Sequence, residues 1–222
     1  MLDINKTASL DVDSQQGFTP LQPDELPVIG GDEIVNELNA NAKYAKYRIA
    51  SKDAHSRNAD WVASEILPQF TPLNYDNADL AWNPHCNVGE EGFELLPGLP
   101  KMSDYDFIVY KGVERNMHPY GACYHDYDEK ISTGLIEWLT VHEIETVIVG
   151  GLTLDYCVKV TIRQLLDADF NVILNLASTR AIDTDNAMEV LEELKCDKFQ
   201  TGYDSTDMDG DFGTVMSGGL GH

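Results

Sequence analysis

The sequence predicts an α/β fold: a three-layer α/β/α arrangement around a mainly parallel, doubly wound sheet of five or six strands. Three observations predict it. Short β-branched or alternating apolar runs recur at residues 7–13, 47–52, 107–110, 146–149 and 171–176. Segments with apolar residues at helical spacing stand between several of them. Short connections join the two, as crossover helices over a parallel sheet require.

In chain order, residues 7–13 alternate, with Ala8, Leu10 and Val12 apolar and Ser9, Asp11 and Asp13 on the opposite face, which predicts a first strand. A loop containing Pro20, Pro23 and Pro27 leads to Gly30-Gly31. Asp32 then stands as the expected cap of a helix with Ile34, Leu38, Ala42 and Ala45 on one face. Residues 47–52 read as the second strand. From 53 to 105 the pattern dissolves into a segment with Trp61, Trp82, His55, His85 and five prolines (Pro68, Pro72, Pro84, Pro97, Pro100). A loop that long inside a compact domain is functional or contains further elements. Residues 107–110 form a third strand ending at Lys111, and a helix around Leu135, Trp138 and Leu139 follows. The β-branched run Thr146-Val147-Ile148-Val149 suits a buried parallel strand and stops at Gly150-Gly151. Val158, Ile162, Leu165 and Leu166 then recur at helical spacing, with Asp155 as expected N-cap. Residues 171–176 form another strand, Asp183 caps a helix with Met188, Leu191 and Leu194, and 198–201 reads as a short edge strand. The acidic, glycine-rich stretch from about 204 reads as a surface tail.

The chain of 222 residues is long enough for one domain with a full core, and a single domain over 1–222 is expected. Thirty-eight acidic against fifteen basic residues give a formal net charge of −23, which disfavours nucleic acid and anionic membranes as partners. No stretch approaches the roughly 20 apolar residues of a membrane span, and the N-terminus lacks the basic and apolar blocks of a signal peptide. A cytoplasmic protein is expected, with self-association left open. The four cysteines (Cys86, Cys123, Cys157, Cys196) are widely spaced and suggest neither a disulfide framework nor a thiolate zinc site.

Cys157 draws the chemistry to itself. Strand, glycine turn and helix place it in a first helical turn, where the dipole favours a thiolate and loop amides point outward. In a doubly wound sheet the ligand sits beyond the C-terminal strand ends, and Asp13, Asp53, Lys111 and Cys157 all fall there. A thiol needs a base or electropositive surroundings to become a nucleophile. Asp13 supplies the base if Lys111 holds it in a dry site, and for these two to touch, their strands should be neighbours. Asp53 and His55 are two apart, so in an extended segment both reach one cation, with His85 completing the protein ligands. An aspartate with two neutral imidazoles suits one divalent ion, zinc first, with iron or manganese as alternatives.

Four separated motifs resemble the nicotinamidases, within the isochorismatase-like cysteine hydrolases: Asp13-Ser14-Gln15-Gln16-Gly17-Phe18; Lys52-Asp53-Ala54-His55 followed by Trp82-Asn83-Pro84-His85-Cys86; Tyr110-Lys111-Gly112; and Gly151-Leu152-Thr153-Leu154-Asp155-Tyr156-Cys157-Val158. The resemblance runs from about Leu10 to Asp183. It implies Cys157 as nucleophile, Asp13 as acid and base, Lys111 as their charge partner, and a metal site in the 53–105 region that orients a substrate's pyridine nitrogen. It further implies a cis peptide between Leu152 and Thr153, with the Thr153 and Cys157 amides forming an oxyanion hole. Phe18, Trp82 and Tyr120 are candidates to hold a flat ring. The family often uses a fourth metal contact, a histidine several positions after the first or a glutamate; Trp61 stands at the histidine's place, which leaves Glu65 as the expected contact, directly or through water.

The implied reaction is hydrolysis of nicotinamide, and of pyrazinamide, to the acid and ammonia through a thioester, within salvage of pyridine nucleotides. The alternatives are a related cysteine hydrolase of another small amide, such as an N-carbamoyl compound or ureidoacrylate, and a catalytically silent binding module. Asp11 is an uncomfortable departure, since it puts a second acid where the family has an apolar residue.

Overall fold

A computed structural model describes residues 2–209. Its strands are β1 (Thr7–Val12), β2 (Tyr47–Asp53), β3 (Pro72–Tyr75), β4 (Ala78–Leu80), β5 (Phe107–Lys111), β6 (Thr146–Leu152), β7 (Asn171–Arg180) and β8 (Phe199–Gly202). The helices are α1 (Val35–Asn41), α2 (Leu135–Val141), α3 (Lys159–Asp167) and α4 (Ala187–Glu193). Six strands form one sheet in the order β5-β2-β1-β6-β7-β8, every adjacent pair parallel. The remaining two, β3 and β4, pair as a separate antiparallel hairpin inside the 53–105 segment, where sequence periodicity showed no element. The order of the sheet reverses between β1 and β6, which makes their C-terminal ends the place for a ligand.

The alternation in β1 sorts its side chains between two faces. Ala8, Leu10 and Val12 join Val147 and Val149 of β6 and Val172 and Leu174 of β7 in a cluster closed by Leu135 and Leu139 of α2, Ile162 and Leu165 of α3, and Val190 of α4. Each such side chain taken from water contributes about 1.5–3 kcal/mol. On the opposite face α1 supplies Leu38, which packs with Ile34, Phe18, Trp61, Trp82 and Leu152. The stretch read as a surface tail begins as structure: Ser205–Asp209 is a 3-10 turn whose Met208 is buried against Ile148 and Ile173. The rest of that stretch, from residue 210, lies outside the described residues.

Two expected caps are displaced. Gly30, with φ 70°, precedes a 3-10 turn Gly31–Ile34 that contains Asp32, so Asp32 is inside the turn rather than before it. Asp155 lies within a π-helical turn, Leu154–Val158, that leads into α3; its carboxylate accepts the amides of Ile182 and Asp183 at 3.1 and 2.9 Å. Asp183 caps the 3-10 turn Thr184–Asn186 that leads into α4, accepting the Asp185 amide at 3.0 Å, while Asn186 stands at the cap position of α4 itself. The strand β6 does not stop at the glycine pair but runs through it to Leu152, and the glycine has a steric cause: Gly151 has φ 120°, and a Cβ there would fall on the Val12 carbonyl.

Asp11 has a structural partner set. It is buried on the α1 side of β1, where Arg48 Nη2 stands 2.7 Å from Oδ2 and the Tyr105 hydroxyl donates to the same oxygen at 2.9 Å. Asn39 of α1 accepts from the other arm of Arg48 at 2.9 Å. Replacing Asp11 by Ala strands a guanidinium and a hydroxyl in a dry place, and is expected to cost about 3 kcal/mol in urea unfolding. A loss below about 1 kcal/mol would contradict this role.

Candidate active site

Four strand ends deliver the chemistry. Asp13 follows β1 with φ 42°, and this left-handed step turns it away from the Asp11 environment, although simple alternation puts the two on one face. Asp53 ends β2, Lys111 ends β5, and Cys157 sits in the π-turn after β6. All four are buried. Lys111 Nζ stands 2.9 Å from Asp13 Oδ2, 2.5 Å from Asp53 Oδ1, 3.2 Å from the Pro119 carbonyl and 3.6 Å from Cys157 Sγ. The expected adjacency of the Asp13 and Lys111 strands is incorrect, because β2 lies between β1 and β5. The lysine spans it. The Ser51 hydroxyl of β2 donates to Asp13 Oδ1 at 2.7 Å. Gln15 ties the two ends together: its amide donates to the Asp53 and Phe93 carbonyls at 2.9 and 3.0 Å and its oxygen accepts the Asp53 amide at 2.8 Å. Sequence reading quoted Gln15 without giving it this task.

The electrostatics separate the two carboxylates. Burial pushes Asp13 up to about 6, against the pull of Lys111 and with help from Asp53. Burial also acts to raise Asp53, but Lys111 and the adjacent imidazoles outweigh it and hold Asp53 well below the usual carboxylate range. For Lys111 burial works against the ammonium, yet the two aspartates override it and keep the lysine charged. The Cys157 thiol is pushed well up by burial, with Lys111 opposing and Asp13 and Asp53 assisting. The expected bias toward a resting thiolate is thus overturned: the thiol keeps its proton until a base takes it.

A narrow pocket opens onto Cys157. Phe18, Trp82, Tyr120 and Tyr156 give it aromatic walls, and Thr153 also lines it, its buried hydroxyl without a partner among the described residues. Trp82 Nε1 donates to the Tyr120 hydroxyl at 3.1 Å, and that hydroxyl donates to Asp79 at 2.7 Å, which fixes two walls at a set angle. The Leu152–Thr153 peptide is cis.

Histidines also line the pocket. His55 Nδ1 lies 3.2 Å from the Gly112 carbonyl and His85 Nδ1 2.6 Å from the Asn83 carbonyl. A carbonyl only accepts, so each ring carries its proton on Nδ1 and offers a lone pair at Nε2. Gly112 is required at its place: with φ 65°, a Cβ would run into the His55 ring. Asp53 Oδ2 stands 3.4 Å from His55 Nε2 and 4.0 Å from His85 Nε2. Both Asp53 Oδ2 and His55 Nε2 are buried without a hydrogen-bond partner among the described residues. Burial pushes His85 down to about 3, with His55 adding to it, so that ring is neutral. Buried imidazole nitrogens beside an ionised carboxylate fit a divalent cation.

One residue here escaped sequence reading. His118 joins His55 and His85, with ring nitrogens of the three lying within 4.8 Å of one another. Glu65, the expected fourth contact, is instead exposed at a turn closed between Ser64 and Leu67 and belongs to no such cluster among the described residues. The polypeptide after His55 is committed to burying Trp61, and Glu65 follows on the solvent side of it.

Known proteins resemble the chain along most of its length. A family model described as the isochorismatase domain matches residues 7–207. A nicotinamidase of Acinetobacter baylyi is 30% identical over 192 residues, covering 85% of this chain and 88% of that one. A nicotinamidase of Escherichia coli strain K12 is 33% identical over 153 residues, 66% of this chain and 71% of the other. The solved structure of an Acinetobacter baumanii nicotinamidase and pyrazinamidase superposes with a TM-score of 0.81 at 26% identity, over 92% of this chain and 98% of its own. The match spans every strand end described above, and the chain belongs to the isochorismatase family of hydrolases.

Proposed function

We propose that the chain hydrolyses nicotinamide, and pyrazinamide with it, to the corresponding acid and ammonia in the salvage of pyridine nucleotides, with Cys157 as nucleophile. The observation that carries this is the Lys111 ammonium held between Asp13 and Cys157 Sγ, at 2.9 and 3.6 Å, with Cys157 itself lining an aromatic pocket. The named relatives point to the same substrate.

Asp13 takes the Cys157 proton as sulfur bonds to the amide carbon, so negative charge passes from carboxylate to carbonyl oxygen while Lys111 remains beside both side chains. The Thr153 and Cys157 amides receive that oxygen. Protonated Asp13 then gives its proton to the nitrogen as the carbon–nitrogen bond breaks and ammonia leaves. A thioester remains. Water enters, Asp13 removes a proton from it, hydroxide adds to the thioester carbon, and collapse releases the acid and returns the proton to sulfur. Phe18, Trp82 and Tyr120 hold the ring against this face, and Tyr156 closes the pocket beside them. A divalent ion on Asp53, His55 and His85, zinc by the affinity of imidazole and carboxylate donors, would accept the ring-nitrogen lone pair and fix the ring's orientation.

Cys157→Ala and Asp13→Asn should each lower kcat by on the order of 10⁴-fold or more in folded protein. Asp11→Asn should leave turnover near that of the parent. Since Asp13 must be ionised to accept the thiol proton, kcat/KM should rise with pH and level off above about 6. Ammonia release by Cys157→Ala above about one hundredth of the parent rate would exclude the covalent route.

Chelation provides the second check. Stripped protein should lose about a hundredfold or more in kcat/KM for nicotinamide, yet change little toward benzamide, which has the amide without the ring nitrogen. Full nicotinamide hydrolysis by metal-free protein, with metal content measured on the same sample, would remove the orienting role from this site.

A further inference from the structure

We infer that His118 is a fourth protein ligand of the metal centre, bringing an imidazole from the loop after β5 to the set begun by Asp53, His55 and His85. The inference rests on the metal reading above and extends it to a residue outside the motifs.

His118 is buried, and neither of its ring nitrogens has a hydrogen-bond partner among the described residues. A buried imidazole with both nitrogens idle is unfavourable, and its neighbours cannot satisfy it: Trp61, Trp82, His55 and Tyr120 meet it as rings. The His118 nitrogen that carries no proton needs a partner that accepts its lone pair. A cation does so for all three.

The spacing agrees. Nitrogens bound to one ion at about 2.1 Å stand at most about 4.2 Å apart. The three histidines already lie within 4.8 Å, so closure of a fraction of an ångström gathers them.

The fold spends several contacts on placing this ring. Trp61 Nε1 donates to the Met117 carbonyl at 3.0 Å, and the His118 amide donates to the Asn77 carbonyl of the β3–β4 turn at 2.7 Å. Trp82 stacks on the imidazole at 5.8 Å between centroids and 13° between planes, and His55 lies at 5.0 Å and 18°. His55 and His85 are oriented by carbonyls on Nδ1, whereas His118 is oriented by ring packing. Trp61 therefore has a task at this centre: it anchors the segment that delivers the replacement ligand. Four protein donors leave a six-coordinate ion two open positions, enough for a ring nitrogen and one water.

The test measures metal affinity rather than turnover. Chelator competition with Zn²⁺ and with Co²⁺ is run on the parent, His118→Gln, His55→Ala and Trp61→Phe, with near-ultraviolet circular dichroism as the check on folding. His118→Gln should bind about 100-fold more weakly or worse, comparable to His55→Ala, and Trp61→Phe, which loses the indole hydrogen bond and part of the ring packed on His118, about tenfold more weakly. Parent-like affinity in His118→Gln with a large loss in His55→Ala overturns the fourth ligand alone. A parent that binds neither ion overturns the metal reading and this inference together. Should His118→Gln not fold, Co²⁺-loaded parent still decides: hyperfine-shifted proton signals from three imidazoles are expected, and signals from only two exclude His118.

Discussion

The Lys111 ammonium, sealed between two carboxylates and a thiol, is the constraint on which the rest of the structure depends. One positive charge faces two acids at 2.9 and 2.5 Å with no water side to retreat to. Its Coulomb attraction to each is on the order of several kcal/mol at an effective dielectric constant near 20. Desolvation consumes much of that gain, so the cluster is a device for placing charge rather than a source of stability. It can satisfy only one acid fully. Asp53 has the shorter contact and the histidine neighbours, and Asp13 is left with a proton affinity suited to moving a proton near neutral pH. The same residue type thereby acquires two tasks from two environments.

Sheet topology makes this possible. β1, β2 and β5 are consecutive across the sheet, so their ends present Asp13, Asp53 and Lys111 in a row, and the reversal between β1 and β6 opens the space that the cysteine turn enters. Gln15 and Ser51 fix the first two ends to each other, and Gly151 lets β6 approach β1 closely enough for Cys157 to meet the lysine.

Much of this was legible in residues. β-branched runs and helical spacing pointed to a mainly parallel sheet of five or six strands, since a run such as Thr146-Val147-Ile148-Val149 has few other uses. The strand ends singled out Asp13, Asp53, Lys111 and Cys157 as neighbours in space. What failed did so for identifiable reasons. Strand adjacency for Asp13 and Lys111 was inferred by ignoring side-chain length: strands stand about 4.8 Å apart, so a lysine and an aspartate pointing inward bridge two spacings. β3 and β4 are short and mostly exposed, and carry no periodic signal. The helix turn at Cys157 favours a thiolate, but burial and the two aspartates push the thiol the other way. His118 was invisible because a ligand brought by a separate loop has no spacing relation to Asp53 and His55; the available hint was Trp61, a large indole where a polar contact was expected.

The central claim is that Cys157 carries the acyl group between amide and acid. Its most direct test is to mix enzyme with excess nicotinamide, quench in acid within a single turnover, and locate any adduct by peptide mass spectrometry. A nicotinoyl group on the Cys157 peptide, absent without substrate and decaying as nicotinate appears, is the result this account predicts. Rapid turnover with no acyl group on Cys157, or with one on a different residue, would contradict it.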